Sequence, residues 1–140
     1  MKILLAADGS EYTQKAIAFL LAHERLAGPG AELVVLNVQV GVPPGVKGMV
    51  GANVVADYHR EEAEKVIEPI KAQLAGHKIN ARCSWVVGSA SEEILRAIEA
   101  EKAEMLVMGT HGWGLVGRFF MGSVAQKVLV DCKIPVLLVK

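Results

Sequence analysis

The chain has 140 residues, 52% of them hydrophobic, with 15 Lys and Arg against 15 Asp and Glu and a formal net charge of zero. That length predicts one domain, 1–140, large enough to bury a real core, and the charge balance argues against nucleic acid or an anionic membrane surface as a partner. No apolar run reaches the ~20 residues that span a bilayer, and the short apolar start, interrupted by Asp8, predicts no signal peptide. Cys83 and Cys132 lack metal-ligand spacing. They read as small buried apolar side chains of a protein in a reducing, cytoplasmic interior.

In chain order, apolar runs alternate with helical patterns. Residues 3–7 predict the first strand, and Ser10 is placed to cap a helix carrying Ala16, Ile17, Leu20 and Leu21 on one side. A second strand is predicted at 33–38. Residues 41–51, with two prolines and four glycines, predict an irregular connection. Val42, Val46, Met49 and Val50 within it favour a cover over a ligand site rather than a plain solvated loop. A long helix follows, from about residue 54 to 74. Its apolar stripe is Ala63, Val66, Ile67, Ile70 and Leu74, and Pro69 inside it should kink or divide it. The third strand, 85–87, is led in by Ile79, Ala81 and Cys83 at period two. Ser89-Ala90-Ser91-Glu92 then offers a capping box for a helix with Ile94, Leu95 and Ile98. Strands at 105–108 and 136–139 flank a last helix that begins after Ser123. The order is βαβαβαβαβ, without repeats or an interdomain linker. The continuously apolar strands imply a parallel sheet covered on both faces, in an α/β fold.

The loop between the fourth strand and the last helix carries the chemistry. Gly109-Thr110-His111-Gly112, nine further residues, and Gly122-Ser123 connect strand to helix. Glycine lacks a Cβ and admits a close ligand, and the following helix offers N–H groups and a positive dipole end to an anion. The pattern suggests nucleotide phosphates. Asp8 and Gly109 both fall at the carboxyl ends of strands, where open α/β sheets bind ligands. Ser123 reads as an N-cap whose hydroxyl can also reach a phosphate. Arg118 reads equally as a phosphate contact or a solvated side chain. His111 could act as a general base, but with no orienting partner in the sequence a structural hydrogen bond is favoured.

Competing motifs fail on particular residues. Gly112-Trp113-Gly114-Leu115-Val116-Gly117 matches the dinucleotide fingerprint. No helix opens on those glycines, though, and the position 20 residues on is Leu137 rather than an acid. A P-loop lysine and a G-x-S-x-G elbow are absent. A phospho-receiver would need an aspartate where the chain has Val86-Val87-Gly88.

The spacing Gly109-x-x-Gly112-x9-Gly122-Ser123 resembles the ATP-binding motif of the universal stress protein family. The strand and turn at Lys2-Ile3-Leu4-Leu5-Ala6-Ala7-Asp8-Gly9-Ser10 and the final helix and strand resemble that family's termini, so the likeness covers almost the whole chain. The resemblance implies a doubly wound, open, parallel five-stranded sheet of order 3-2-1-4-5, Rossmann-like, with helices on both faces. It also implies an ATP-binding regulatory module of the stress response. Adenine would lie against Ala7, Asp8 and Val38. Ribose and phosphates would lie on Gly109, Thr110, His111, Gly112, Gly122, Ser123 and Val124, with Ala6 and Arg118 completing the candidate set and Mg2+ as an optional companion of the triphosphate. The chain has Ala6 where many members have proline, Asn37 where histidine is common, and Trp113 where a basic residue is frequent. The family pairs its last strand with its twin, which implies a homodimer, and nucleotide occupancy would be read by a regulatory protein partner. A slow ATP hydrolase or phosphotransferase using His111, Asp8 and Arg118 is one rival. A dimerisation module with an empty pocket is the other.

Overall fold

Residues 1–112 and 121–140 are described by a computed structural model. They form β1 (Lys2–Ala6), α1 (Glu11–Ala22), α2 (Glu24–Ala27), β2 (Glu32–Gln39), α3 (Pro44–Val50), α4 (Ala52–Ala75), β3 (Asn80–Val87), α5 (Ala90–Glu101), β4 (Met105–Gly109), α6 (Ser123–Asp131) and β5 (Val136–Val139). The strands make one sheet in the order β3-β2-β1-β4-β5, parallel throughout. The expected α/β architecture and strand order are therefore present.

The apolar strands are continuous because each face of the sheet is covered. Ile3 and Leu5 of β1, with Leu33, Val35 and Val107, pack under α1 and α4. Leu4, Val34, Leu36, Leu106 and Met108 point the other way, under α5 and α6. Alternate residues along one strand thus enter two different cores, each removing apolar area from water at ~25 cal/mol per Å2. The α4 stripe is buried at Ala63, Ile67, Ile70 and Leu74, with His59 continuing it upward.

Several local expectations are corrected. α4 runs unbroken through Pro69. Pro69 is on the exposed side, where water can solvate the carbonyl that loses its partner, and the buried stripe keeps both halves on the sheet. The 41–51 connection is not wholly irregular, since Pro44 sets the first position of α3, where its fixed φ suits a helix. The short α2 was not anticipated. β3 is eight residues long, beginning close to where the period-two pattern starts. Ser10 and Ser89 do occupy the N-cap positions of α1 and α5, but neither side chain makes a capping bond, so the capping box is unformed. Cys83 and Cys132 are half-buried rather than buried. Burial pushes the Cys83 thiol up, which leaves less thiolate and a less reactive sulfur.

At the opposite end of the sheet from the carboxyl edges, charges tie neighbouring elements. Arg82 Nη1 and Nη2 donate to Glu101 Oε1 at 3.1 Å and Oε2 at 2.5 Å, and Lys2 Nζ is 3.3 Å from Glu101 Oε2. The Arg82 hydrogen bond holds the Glu101 carboxyl below its ordinary value. A depressed carboxyl stabilises the fold above the unfolded pKa, ~4.3, and that contribution is lost as the pH falls through the folded value. Glu101→Gln should therefore lower stability at pH 7 by less than about 1 kcal/mol, since the pairs face water. Urea unfolding at pH 7 and near pH 3 checks this, with the gap between variant and wild type expected to close in acid.

Candidate functional site

The site forms where the sheet changes direction. α1 leaves β1 toward one face while β4 continues into the loop that reaches α6 on the other, which opens a cleft above the carboxyl ends of β1, β2 and β4. Its volume is about 860 Å3, within the ~300–1,000 Å3 range of small-molecule sites. Eleven of the twelve candidate residues line it: Ala6, Ala7, Asp8, Val38, Gly109, Thr110, His111, Gly112, Gly122, Ser123 and Val124. Arg118, like Trp113, lies outside the described residues.

The β1–α1 turn is organised by Asp8. Its Oδ1 accepts from the Ser10 N–H at 2.9 Å and from Thr13 Oγ1 at 2.9 Å, while the Asp8 N–H donates to Thr13 Oγ1 at 3.1 Å. The Asp8 carboxylate thus takes the N–H of Ser10, the N-cap residue, while the Ser10 hydroxyl makes no capping bond. Between them Gly9 has φ +79, and a Cβ there would stand 3.1 Å from Val66 Cγ2 of α4. Beside the turn, buried Asn37 donates from Nδ2 to the Ala7 carbonyl at 2.9 Å and accepts from Gln39 Nε2 at 2.6 Å. This ties the ends of β1 and β2 together.

The loop glycines answer first to protein atoms. A Cβ on Gly109 would lie 2.5 Å from Tyr12 Cβ, and one on Gly112 would lie 2.6 Å from Asp8 Oδ2. Both are closer than real atoms come: a Cβ at Gly109 meets the root of Tyr12, and one at Gly112 would force the Asp8 carboxylate to shift. The Thr110 N–H donates to the Val139 carbonyl at 2.9 Å, and the Gly122 N–H donates to the Thr110 carbonyl at 2.7 Å. The last bond staples the loop's two ends and engages the Gly122 amide within the protein. It also corrects the cap: Gly122, extended at φ −61 and ψ 154, is the N-cap of α6, and Ser123 is its first residue. The amides of Ser123, Val124 and Ala125 then open α6 without intrahelical acceptors, at the positive end of the helix dipole.

The charged side chains among the described lining residues are Asp8, Glu62 and Lys65, with His111 beside them. Lys65 Nζ pairs with Glu62 Oε1 at 2.7 Å. No described group of three His, Cys, Asp or Glu stands together as a metal site. Among the described residues, the backbone amides at the start of α6 are groups suited to an anion here. His111 Nδ1 is 2.8 Å from Thr110 Oγ1, and its ring meets that of Tyr12, in line with a structural hydrogen bond. Several lining residues escaped sequence reasoning: Tyr58, Glu62 and Lys65 of α4, Thr13 of α1, and Ala90 and Ile94 of α5. The spacing of Tyr58, Glu62, Lys65 and Val66 on one helical face was the available signal.

This fold recurs in known proteins. The Universal stress protein family model matches residues 1–140. A universal stress protein from the QAH/OAS sulfhydrylase 3′ region of Thermus aquaticus is 37% identical over 99% of this chain and 97% of its own. The solved structure of MJ0577, a universal stress protein of Methanocaldococcus jannaschii, is 30% identical, with a TM-score of 0.85 over 99% of this chain and 94% of that one. An Arabidopsis thaliana universal stress protein with AMP bound shares the fold at 15% identity, with a TM-score of 0.69 over 100% of this chain and 90% of that one. A whole-length family match, joined to a strand order and a glycine loop expected from that same family, leads to one conclusion: the chain belongs to the universal stress protein family.

Proposed function

We propose that the cleft binds ATP and that the protein is a cytoplasmic, single-domain regulatory module (1–140) in which nucleotide occupancy is the signal read by a protein partner. The observation that carries this is the staple from Gly122 to Thr110, which sets the amides of Ser123, Val124 and Ala125 and the 109–112 turn around one cleft. Oriented amides at a helix start suit phosphate. Ala6, Ala7, Asp8 and Val38, with Ile94, offer a largely apolar bed for the base. AMP in the Arabidopsis relative supports a nucleotide in this fold. Mg2+ fits as a companion of the triphosphate, held mostly by phosphate oxygens and water, because the described residues provide no acidic cage. No described helix is long and apolar enough to cross a membrane.

A regulatory rather than enzymatic role is supported by how the site would bind. Backbone amides that grip the ground state as well as the transition state do not accelerate chemistry. Phosphate release with Mg2+ and saturating ATP should run below about 1 per second. Turnover above that rate, abolished in Asp8→Asn or His111→Ala, would make the protein an enzyme.

A homodimer through β5 belongs to the same proposal. β5 occupies one edge of the sheet, and its side chains are all half-buried, Val136 and Leu138 against one core and Leu137 and Val139 against the other. A short apolar edge of this kind favours pairing with a second copy. Light scattering at micromolar concentration should give the mass of a dimer, and a monomer there refutes it.

The central test is ATP affinity in Gly122→Val. A Cβ at 122 would stand 3.2 Å from the Thr110 carbonyl oxygen and 3.4 Å from His111 Cα, so a branched side chain drives the turn away from α6. Calorimetry should show binding weakened at least tenfold, about 1.4 kcal/mol, with the far-UV spectrum unchanged. Undiminished affinity would refute the site, and mass spectrometry of ligand released from the purified wild type would identify what the cleft carries.

A further inference from the structure

Tyr12 lies in the first turn of α1, half-buried, and is not one of the described residues that line the cleft. It nevertheless bears on the loop in two ways. A Cβ on Gly109 would lie 2.5 Å from Tyr12 Cβ and 3.4 Å from its Cγ, so the end of β4 rests on the root of this side chain. The Tyr12 ring centroid is 5.1 Å from that of His111, with the planes tilted by 38°, a separation at which aromatic rings attract. Lys15 Nζ, three residues along α1, is 5.1 Å from the Tyr12 centroid, within cation–π reach, and steadies the ring from its own helix. His111 meets Thr110 Oγ1 at Nδ1, 2.8 Å away. The imidazole is thereby held at its Nδ1 edge by the loop and across its ring by α1.

We propose that Tyr12 is a positioning residue, which fixes the His111 imidazole and the 109–112 turn in the orientation that receives the anionic end of the ligand while making no contact with the ligand itself. This rests on the reading of the cleft as a nucleotide site. The physical benefit is preorganisation. A histidine and a glycine turn left mobile must be ordered when the ligand arrives, and ordering costs affinity. Tyr12 does that ordering beforehand, on a helix whose own position is secured by Ala16, Ile17 and Leu20 in the core. It also explains Gly109 without the ligand: the glycine is needed because α1 brings a tyrosine root to that point.

The test has one arm without nucleotide and one with it. In the nucleotide-free protein, NMR should show that Tyr12→Leu shifts the His111 ring protons, by removing the ring current, and speeds amide exchange at Gly109 and Gly112, while Tyr12→Phe leaves both near wild type. Tyr12→Met replaces the leucine variant if that one does not fold. With ATP, calorimetry should find Tyr12→Leu weakened roughly 3- to 10-fold, the range expected for freeing one side chain, and Tyr12→Phe unaffected. The double variant with His111→Ala should lose less than the sum of the two single losses, because part of the tyrosine's effect passes through the histidine. Unchanged His111 and Gly112 signals in Tyr12→Leu overturn the proposal, and so do losses that simply add in the double variant. A wild type that binds no ATP overturns the nucleotide reading instead, and the NMR arm then decides the role of Tyr12 by itself.

Discussion

The site depends on a contact that only missing side-chain atoms permit. The β4–α6 loop and the β1–α1 turn come from positions about a hundred residues apart, yet they touch without a gap, because Gly109 leaves room for Tyr12 and Gly112 leaves room for the Asp8 carboxylate. A methyl group at either place would drive atoms to distances that real contacts do not reach. Interiors are packed too tightly to absorb such a shift freely, so at Gly109 the end of β4 would be pushed off α1, and at Gly112 the Asp8 carboxylate would be displaced. The glycine motif is then first a rule about how two protein segments meet, and through that about what the space between them can hold.

Around this contact the polar groups form a closed system. Asp8 accepts from the start of α1 and from Thr13, Asn37 secures the Ala7 carbonyl, and the Gly122 amide secures the Thr110 carbonyl. Each bond is modest, about 1 kcal/mol net. Their value lies in removing alternatives: a turn tied at Thr110 and Gly122 is less free to rotate, and the amides at the start of α6 keep their direction. Asp8, Thr110 and Gly122 hold the loop and also line the cleft.

Several exposed apolar side chains of the described residues lie on one side of the cleft. Val40 and Tyr58 line it and remain well exposed, and Val46, Met49, Val50 and Val54 lie on the neighbouring α3 and the start of α4. α3 itself buries no residue. The 41–51 segment was expected as an irregular cover over a ligand site, and the helical form of α3 was not foreseen.

Much was legible in the sequence because it depends on local pattern. Continuous apolar runs meant strands covered twice, periods near 3.6 meant helices, and a glycine spacing after a strand marked the loop. With the family resemblance these gave the sheet order and eleven of the residues that border the cleft. Other features required the folded chain. Whether the Ser10 hydroxyl caps α1, whether Gly122 or Ser123 caps α6, and whether Pro69 breaks α4 are settled by the folded surroundings, and no local pattern records the outcome. Tyr12, Glu62 and Lys65 read as ordinary helix positions, and although Glu62 and Lys65 share a helical face with Tyr58 and Val66, that spacing does not say what the face meets. They reach the site because the crossover helices of a parallel sheet pass beside the carboxyl ends of its strands. Periodicity along the chain assigns the elements and their buried faces, but which surface residues of two helices meet across a cleft is a property of their packing.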